Sequence, residues 1–228
     1  VKTRLSPPLS PDEAATLNIC FLRDLSLAVK SAGEPAQGVA CYTPVGEEEI
    51  YASILPIDFQ LIAQRDGLFG ERLCGAVEDL LTAGFGSVCL INSDSPTVPA
   101  EVFAEAARVL SESTEKVVLG PSDDGGYYLI GMKRLYERLF EEIDWSTERV
   151  LQQTLSRAQE MGLPVHLLPA CYDVDESNTL QRLCQDLLGH GDQSRGIAPA
   201  TRSFLRDFVA REGRDRIWPE SASVAAAG

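Results

Sequence analysis

The feature that most constrains the fold is an alternation of short apolar segments with longer amphipathic segments along most of the 228-residue chain. Strands that alternate with helices of about 10–15 residues are typical of a mostly parallel sheet with helices on both faces. We therefore predict an α/β fold with three layers, α/β/α, built around a mostly parallel central sheet.

The predicted helices share apolar residues that recur at spacings of three and four. They cover Pro11–Gly33, Gly70–Ala83, Pro99–Ser111, Ser146–Met161, Thr179–Leu188 and Pro199–Arg211. The predicted strands are short and apolar. They cover Gln37–Thr43, Phe59–Ala63, Ser87–Ile91, Lys116–Leu119, Tyr127–Gly131 and Val165–Leu168. The continuous apolar run of Ser87–Ile91 predicts a strand that is covered on both faces.

The domain organisation is predicted from the beginning and the end of this series of strands and helices. The first predicted helix has no strand before it, and the chain begins with Val1 rather than Met. We expect one domain over residues 1–188 from which the opening strand is missing. The polar, Gly-rich segment 189–196 predicts a linker, and residues 189–228 as a whole are expected to form this linker, one further helix and a flexible tail from Ser221.

The overall charge narrows the classes of partner. Lys and Arg number 20 against 34 Asp and Glu, which gives a formal net charge of −14. An acidic surface repels a phosphate backbone, so a nucleic-acid partner is not expected. No run approaches the roughly 18 apolar residues that a membrane span needs, and the opening residues do not resemble a signal peptide. We expect a cytoplasmic protein without a membrane partner.

The six cysteines agree with a reducing compartment, because they are scattered without a C-x-x-C pair. Neither a disulfide nor a metal role is expected for them. Cys20 and Cys89 lie in apolar runs and are predicted to be buried thiols.

Ser93-Asp94-Ser95-Pro96 follows directly after the Ser87–Ile91 strand. Ligands of open parallel sheets bind at the carboxyl ends of the strands, and Mg²⁺ prefers one or two carboxylates together with substrate phosphates. Asp94 is therefore a candidate metal ligand, and the alternative is a turn or helix-capping role.

A second polar segment, Ser122-Asp123-Asp124-Gly125-Gly126, follows the Lys116–Leu119 strand. The two glycines would let the backbone approach a ligand closely. The same residues are also a signal for a hairpin turn, so both interpretations stay open.

Tyr172-Asp173-Val174-Asp175 follows the last predicted strand. Alternation points Asp173 and Asp175 to one side of an extended chain. Two such carboxylates repel unless a cation lies between them, which makes them a candidate metal site. The alternative is a solvated edge.

Basic residues stand at two places on this acidic chain. Lys2 and Arg4 are expected on one face of an extended loop, and Gly70-Glu71-Arg72 begins a helix whose free N–H groups favour an anion. A ligand that carries phosphate would give these residues one shared role.

These segments, taken in order, resemble the DUF2064 family of GT-A-fold transferases, which is related to the nucleotide-diphospho-sugar transferases. The matching motifs are Val1-Lys2-Thr3-Arg4-Leu5, Gly70-Glu71-Arg72-Leu73, Ser93-Asp94-Ser95-Pro96, Gly120-Pro121-Ser122-Asp123-Asp124-Gly125-Gly126-Tyr127-Tyr128, Trp145-Ser146-Thr147-Glu148 and Asp173-Val174-Asp175. Some members are labelled arsenosugar-biosynthesis glycosyltransferases, and the opening motif also resembles the phospholactate guanylyltransferases. The family's opening strand and Pro-x-x-Gly loop are absent, and Gly67-Leu68-Phe69-Gly70 replaces its Gly-Asp-Leu-Gly.

The resemblance implies a role for each motif, with Mg²⁺ or Mn²⁺ as cofactor. Asp94 would be the GT-A metal aspartate, Asp173 or Asp175 a second metal-side carboxylate, and Asp94 and Asp124 the catalytic residues. Nucleotide binding would fall to Lys2, Arg4, Gly70, Glu71, Arg72 and Ser93. The acceptor wall would consist of Asp123, Gly125, Gly126, Tyr127, Tyr128 and Trp145.

Three functions are compatible with these implied roles. The first is a metal-dependent glycosyltransferase that uses a nucleotide-diphosphate sugar and a small-molecule acceptor. The second is a nucleotidyltransferase that joins an NTP to a phosphorylated small molecule and releases pyrophosphate. The third is a nucleotide-binding domain without turnover.

Overall fold

A computed structural model describes residues 2–34, 36–189 and 196–218. The helices are α1 (Pro11–Ser31), α2 (Glu48–Ile54), α3 (Phe69–Thr82), α4 (Ala100–Ser111), α5 (Val150–Glu160), α6 (Ser177–Leu188) and α7 (Pro199–Glu212). The strands are β1 (Val39–Tyr42), β2 (Gln60–Ala63), β3 (Val88–Ile91), β4 (Val117–Pro121), β5 (Tyr127–Met132) and β6 (Val165–Leu167).

The central sheet has four strands in the order β3-β5-β4-β6. Strand β5 is antiparallel to β3 and β4, whereas β4 and β6 are parallel. Three of the four strands therefore run in one direction. Strands β1 and β2 form a separate parallel pair.

Helices cover both faces of the four-stranded sheet. On one face, α1 and α4 pack Leu25 and Phe103 against Leu129 of β5. On the other face, α3 and α5 pack Val77 and Ala158 against the strands. The structure thus confirms the predicted three-layer α/β/α fold with a mostly parallel central sheet.

A third apolar cluster joins α1, α6 and α7. Phe21, Leu183 and Phe208 are fully or almost fully buried in it, together with Leu5 from the N-terminal turn. The C-terminal helix therefore packs against the body of the fold. Most of the predicted linker, and all of the predicted tail from Ser221, lie outside the described residues.

A gap separates the two sheets. Strands β1 and β3 each have a partner along one edge, and no strand in the described ranges pairs with the other edge. Cavities of about 250 and 330 Å³ lie between them, and Cys89 borders both. Cys89 is exposed. The predictions of a fully covered Ser87–Ile91 strand and of a buried Cys89 are therefore wrong, because β3 is an edge strand here.

Two further differences from the sequence predictions affect the site. Helix α5 begins at Val150 instead of Ser146, because Ser146 has a positive φ of 64° and starts a turn. Helix α2 was not predicted, and none of its residues is buried. All six thiols are free. None of the described helices combines the length and apolarity that crossing a membrane requires.

Candidate functional site

A cleft of about 790 Å³ opens where the carboxyl ends of β1 and β3 meet the N-terminal turn. The β4–β5 turn, the segment before α5 and the segment after β6 complete its walls. Six residues that the sequence singled out lie together in it: Lys2, Arg4, Ser93, Asp94, Asp124 and Asp175.

Asp94 lies in the loop that leaves β3, and two hydrogen bonds hold this loop in place. The Val174 N–H donates to the Asp94 carbonyl at 2.8 Å, and the Ser93 hydroxyl donates to Asp94 Oδ1 at 3.1 Å. The loop after β3 is thereby joined to the segment after β6. Residues 80 positions apart meet because both follow strands that end at the same edge of the sheet.

The Lys2 ammonium lies between the two aspartates of this edge. Its Nζ is 2.7 Å from Asp94 Oδ1, 2.7 Å from Asp175 Oδ1 and 2.8 Å from the Val174 carbonyl oxygen. The Lys2 side chain is only 6% exposed, against 31% for Asp94 and 44% for Asp175. Three oxygens from distant parts of the chain therefore surround one cation position.

A short 3₁₀ turn over Thr3–Leu5 contains Arg4 and directly follows Lys2, so the expected extended loop is not formed. Lys2 precedes this turn with a positive φ of 54°, and Leu5 anchors it by full burial in the α1–α6–α7 cluster. Arg4 is exposed on the cleft and forms no hydrogen bond or ion pair with any described residue. Its guanidinium is available to an anion.

Asp173 and Asp175 contact different residues. Its Oδ1 accepts hydrogen bonds from Ser95 Oγ at 2.5 Å and Asn92 Nδ2 at 2.7 Å. Burial raises the pKa of Asp173, while these hydrogen bonds lower it. Asp173 therefore ties the two loops together, and Asp175 is the member of the pair that reaches the Lys2 ammonium.

The Asp-Asp-Gly-Gly segment forms the hairpin turn between β4 and β5, which was one of its two interpretations. The Ser122 N–H donates to the Gly126 carbonyl, and the Gly126 N–H donates to Asp124 Oδ1 at 2.9 Å. Asp124 nevertheless lines the cleft. Asp123 instead forms an ion pair with Arg182 at 2.6 Å.

Position 125 must be glycine for two reasons. Its φ is 88°, and a Cβ at this position would lie 2.2 Å from the carbonyl oxygen of Glu148. The Leu151 N–H also donates to the Gly125 carbonyl at 2.9 Å. This close approach places the β4–β5 turn against the segment before α5.

The structure does not place Tyr127 and Tyr128 in the wall of the cleft. Successive strand residues point to opposite faces, and Tyr127 packs on the α3–α5 side while Tyr128 packs on the α4 side. The Tyr128 hydroxyl donates to the Pro169 carbonyl at 2.9 Å. Burial raises the pKa of both phenols. Tyr128 is a buried core residue, and Tyr127 is a partly buried residue that packs against the core.

The Gly70–Arg72 group and Trp145 lie together but outside the cleft. Glu71 accepts the Leu68 N–H at 2.8 Å and so caps α3, which leaves that donor unavailable to a phosphate. A Cβ on Gly70 would approach the indole nitrogen of Trp145 to 2.9 Å. Arg72 donates to Gln64 and borders the gap between the sheets. The nucleotide-binding roles of Gly70, Glu71 and Arg72 stay predictions, as does the acceptor role of Trp145.

The cleft also contains residues that the sequence analysis did not assign to it. Thr43 and Tyr51 come from the β1 side, Asn18 from α1, and Glu148 from the segment before α5. The Trp-Ser-Thr-Glu motif offered a signal for Glu148. The other three had none, because isolated polar residues carry no motif.

The carboxylates of the cleft do not form a complete metal cage. Among the residues that the structure describes, no group of three or more His, Cys, Asp or Glu side chains could hold a metal ion. Asp94, Asp175 and the Val174 carbonyl supply three oxygens. A bound cation would need further ligands from a substrate or from water.

Comparisons with known proteins agree with this architecture. The family model described as "Uncharacterized protein conserved in bacteria (DUF2064)" matches residues 27–147, just over half of the chain. A crystal structure of a proposed nucleotide-diphospho-sugar transferase from Desulfovibrio desulfuricans G20 is 30% identical, with a TM-score of 0.79. The match covers 92% of this chain and 89% of that one. No curated protein matches the chain. Together the family match and the structural match show that the chain belongs to the DUF2064 family.

Proposed function

We propose that this chain is a divalent-metal-dependent glycosyltransferase that moves a sugar from a nucleotide diphosphate to a small-molecule acceptor. One observation carries the proposal: oxygens of Asp94, Asp175 and Val174 surround one cation position at the rim of a cleft large enough for such ligands. The similarity to the proposed nucleotide-diphospho-sugar transferase supports the same class of donor.

The residues present are suited to Mg²⁺ or Mn²⁺. Two carboxylates and a carbonyl are hard oxygen ligands, and Mg²⁺ is usually bound by one or two carboxylates plus substrate phosphates. A bound ion would neutralise charge that develops on the departing diphosphate.

The chain's own residues would perform the remaining steps. Arg4 would bind phosphate oxygens, because its guanidinium faces the cleft without a partner in the described ranges. Asp124 would accept the proton of the acceptor hydroxyl, whose oxygen forms a bond to the anomeric carbon. The bond from that carbon to the diphosphate breaks, and the nucleoside diphosphate leaves. Asp173 would hold the two loops in position through Asn92 and Ser95.

Nucleotidyl transfer is the second candidate, and the position of Lys2 and Arg4 on the same cleft favours it. Two neighbouring cations suit a pyrophosphate leaving group, because charged hydrogen bonds to phosphate are among the strong ones. In that reaction the phosphorylated acceptor attacks the α-phosphorus of the NTP and pyrophosphate leaves.

A ligand screen with product analysis distinguishes the two candidates. The chain is incubated with nucleotide sugars or NTPs in the presence of Mn²⁺, and its Tm and released products are measured. A ligand at 100 times its Kd stabilises the folded state by about 2.7 kcal/mol. Stabilisation by a nucleotide sugar with release of nucleoside diphosphate supports the proposal. Pyrophosphate release from an NTP supports the second candidate, and no shift with any nucleotide contradicts both.

A further inference from the structure

The Lys2 ammonium is held by oxygens of the protein on three sides. Its Nζ donates hydrogen bonds to the Val174 carbonyl at 2.8 Å and to Asp175 Oδ1 at 2.7 Å. It also forms an ion pair with Asp94 Oδ1 at 2.7 Å. Its positive charge is therefore paired inside the protein, and two of its three N–H donors are already used.

The ammonium also fills the position that the proposed metal ion would take. Asp94 and Asp175 each direct an oxygen at Lys2 Nζ. A divalent ion at the same point would be so close to the Lys2 ammonium that the two cations would repel each other strongly. Lys2 and the ion therefore exclude one another from this position.

The local backbone allows the Lys2 side chain to leave without disturbing the fold. Leu5 is the buried anchor of the N-terminal turn, and Lys2 lies before that turn. Only the flexible four-carbon stem of the lysine needs to change its rotamers. Arg4, two residues further on, is already directed into the cleft.

We propose that Lys2 is an exchangeable internal cation that occupies the metal position in the free protein and leaves it when a divalent ion enters. The released ammonium then faces the cleft and binds a phosphate of the nucleotide. This inference rests on the proposed function for the identity of the ligand. It adds that the binding of the metal ion and the binding of the nucleotide are coupled. Metal binding without nucleotide is weakened by the competition with Lys2, and metal and nucleotide favour each other's binding.

The first test is the affinity of the full chain for Mn²⁺ without any nucleotide, measured by electron paramagnetic resonance. Lys2→Gln removes the competing charge and is expected to bind Mn²⁺ about tenfold more tightly than the unaltered chain, within the usual range of couplings. Lys30→Gln is the matched control, because Lys30 forms an exposed ion pair with Asp58 at 3.0 Å. Adding Asp175→Asn to Lys2→Gln should reverse the gain. An unchanged or weaker affinity in folded Lys2→Gln overturns the inference.

The second test uses the unaltered chain and does not depend on the folding of a variant. Acetic anhydride acetylates lysines at rates that reflect their exposure, and mass spectrometry reports each site separately. Lys2 should react slowly in the free chain, and its rate should rise when Mn²⁺ is bound, whereas the rate at Lys30 should stay constant. Bound Mn²⁺ with no change at Lys2 overturns the inference. Both tests omit nucleotides, so exchange at Lys2 without transferase turnover would contradict only the proposed function.

Discussion

Two buried or half-buried carboxylate sites in this molecule are held in opposite ways. At the junction of α1 and α7, Asp24 is 4% exposed and accepts the backbone N–H groups of Ala200 and Thr201, both at 2.8 Å. At the cleft, Asp94 and Asp175 are more exposed and share a lysine ammonium.

The difference separates a structural carboxylate from an exchangeable one. Backbone N–H groups at the start of α7 are fixed donors, and they can leave Asp24 only if the helix moves. A lysine side chain can leave its partners by changing rotamers alone. We infer that the first site holds the fold and that the second is ready to accept another cation.

The largest expected effect is on turnover, at the exchangeable site. Asp94→Asn should lower kcat by about 10²–10³, the usual result of losing one electrostatic contact in a transition state. Its Tm should change little, because Asp94 is partly exposed and its backbone hydrogen bonds remain. Steady-state release of nucleoside diphosphate and thermal unfolding provide the two measurements.

Asp58→Asn is the matched control for that variant. Asp58 is about half exposed and pairs with Lys30 on the surface, where an ion pair contributes about 0–1 kcal/mol. Its kcat should match that of the unaltered chain. If Asp94→Asn and Asp58→Asn were equally active, Asp94 would have no part in the reaction.

The next effect is on stability, at the structural site. Asp24→Ala should lower the free energy of unfolding by about 2 kcal/mol, because two N–H groups at the start of α7 lose their acceptor. Asp24→Asn keeps one acceptor oxygen and should lose less. Urea unfolding measures both variants, and their kcat should stay close to that of the unaltered chain. A stable Asp24→Ala would remove the contrast between the two sites.

The smallest effect is a pH dependence. Burial raises the pKa of Asp24, and the hydrogen bonds from Thr201 and Ala200 lower it only in part. The folded state then holds this proton more tightly than the unfolded state does. The stabilising contribution is complete below the unfolded pKa of about 3.9 and is lost as the pH rises through the folded pKa. Between pH 3 and pH 7 the free energy of unfolding of the unaltered chain, measured in urea, should fall relative to that of Asp24→Asn; parallel curves would contradict the assignment.

Most of the fold could be predicted because local signals agree with it. Helix α1 begins where the Ser10-Pro11 capping signal predicts it, and β4 coincides with its apolar run. The exposure of Cys89 could not be predicted, because it depends on which strand lies beside β3. Helix α2 was missed because it buries none of its residues, and burial is what creates an apolar periodicity.

The site residues that follow strand ends could be predicted from the sequence. Those whose position depends on tertiary packing could not. Asp94 and Asp175 follow strands, so the fold rule places them at one edge. Tyr127 and Tyr128 belong to β5 itself, and they pack against the core layers on opposite faces of the sheet. The contact of Lys2 with Asp175 spans 173 residues, and no local pattern encodes it.

We propose that a divalent ion at the Asp94–Asp175 position organises the transfer. The most direct test of this proposal is the rate of nucleoside diphosphate release from a nucleotide sugar in EDTA, followed by titration with Mn²⁺. We predict that EDTA stops the release and that Mn²⁺ restores it. Asp175→Asn should need about tenfold more Mn²⁺ for half-activation, because one carboxylate beside the ion is lost. Release at the full rate in EDTA would contradict the claim.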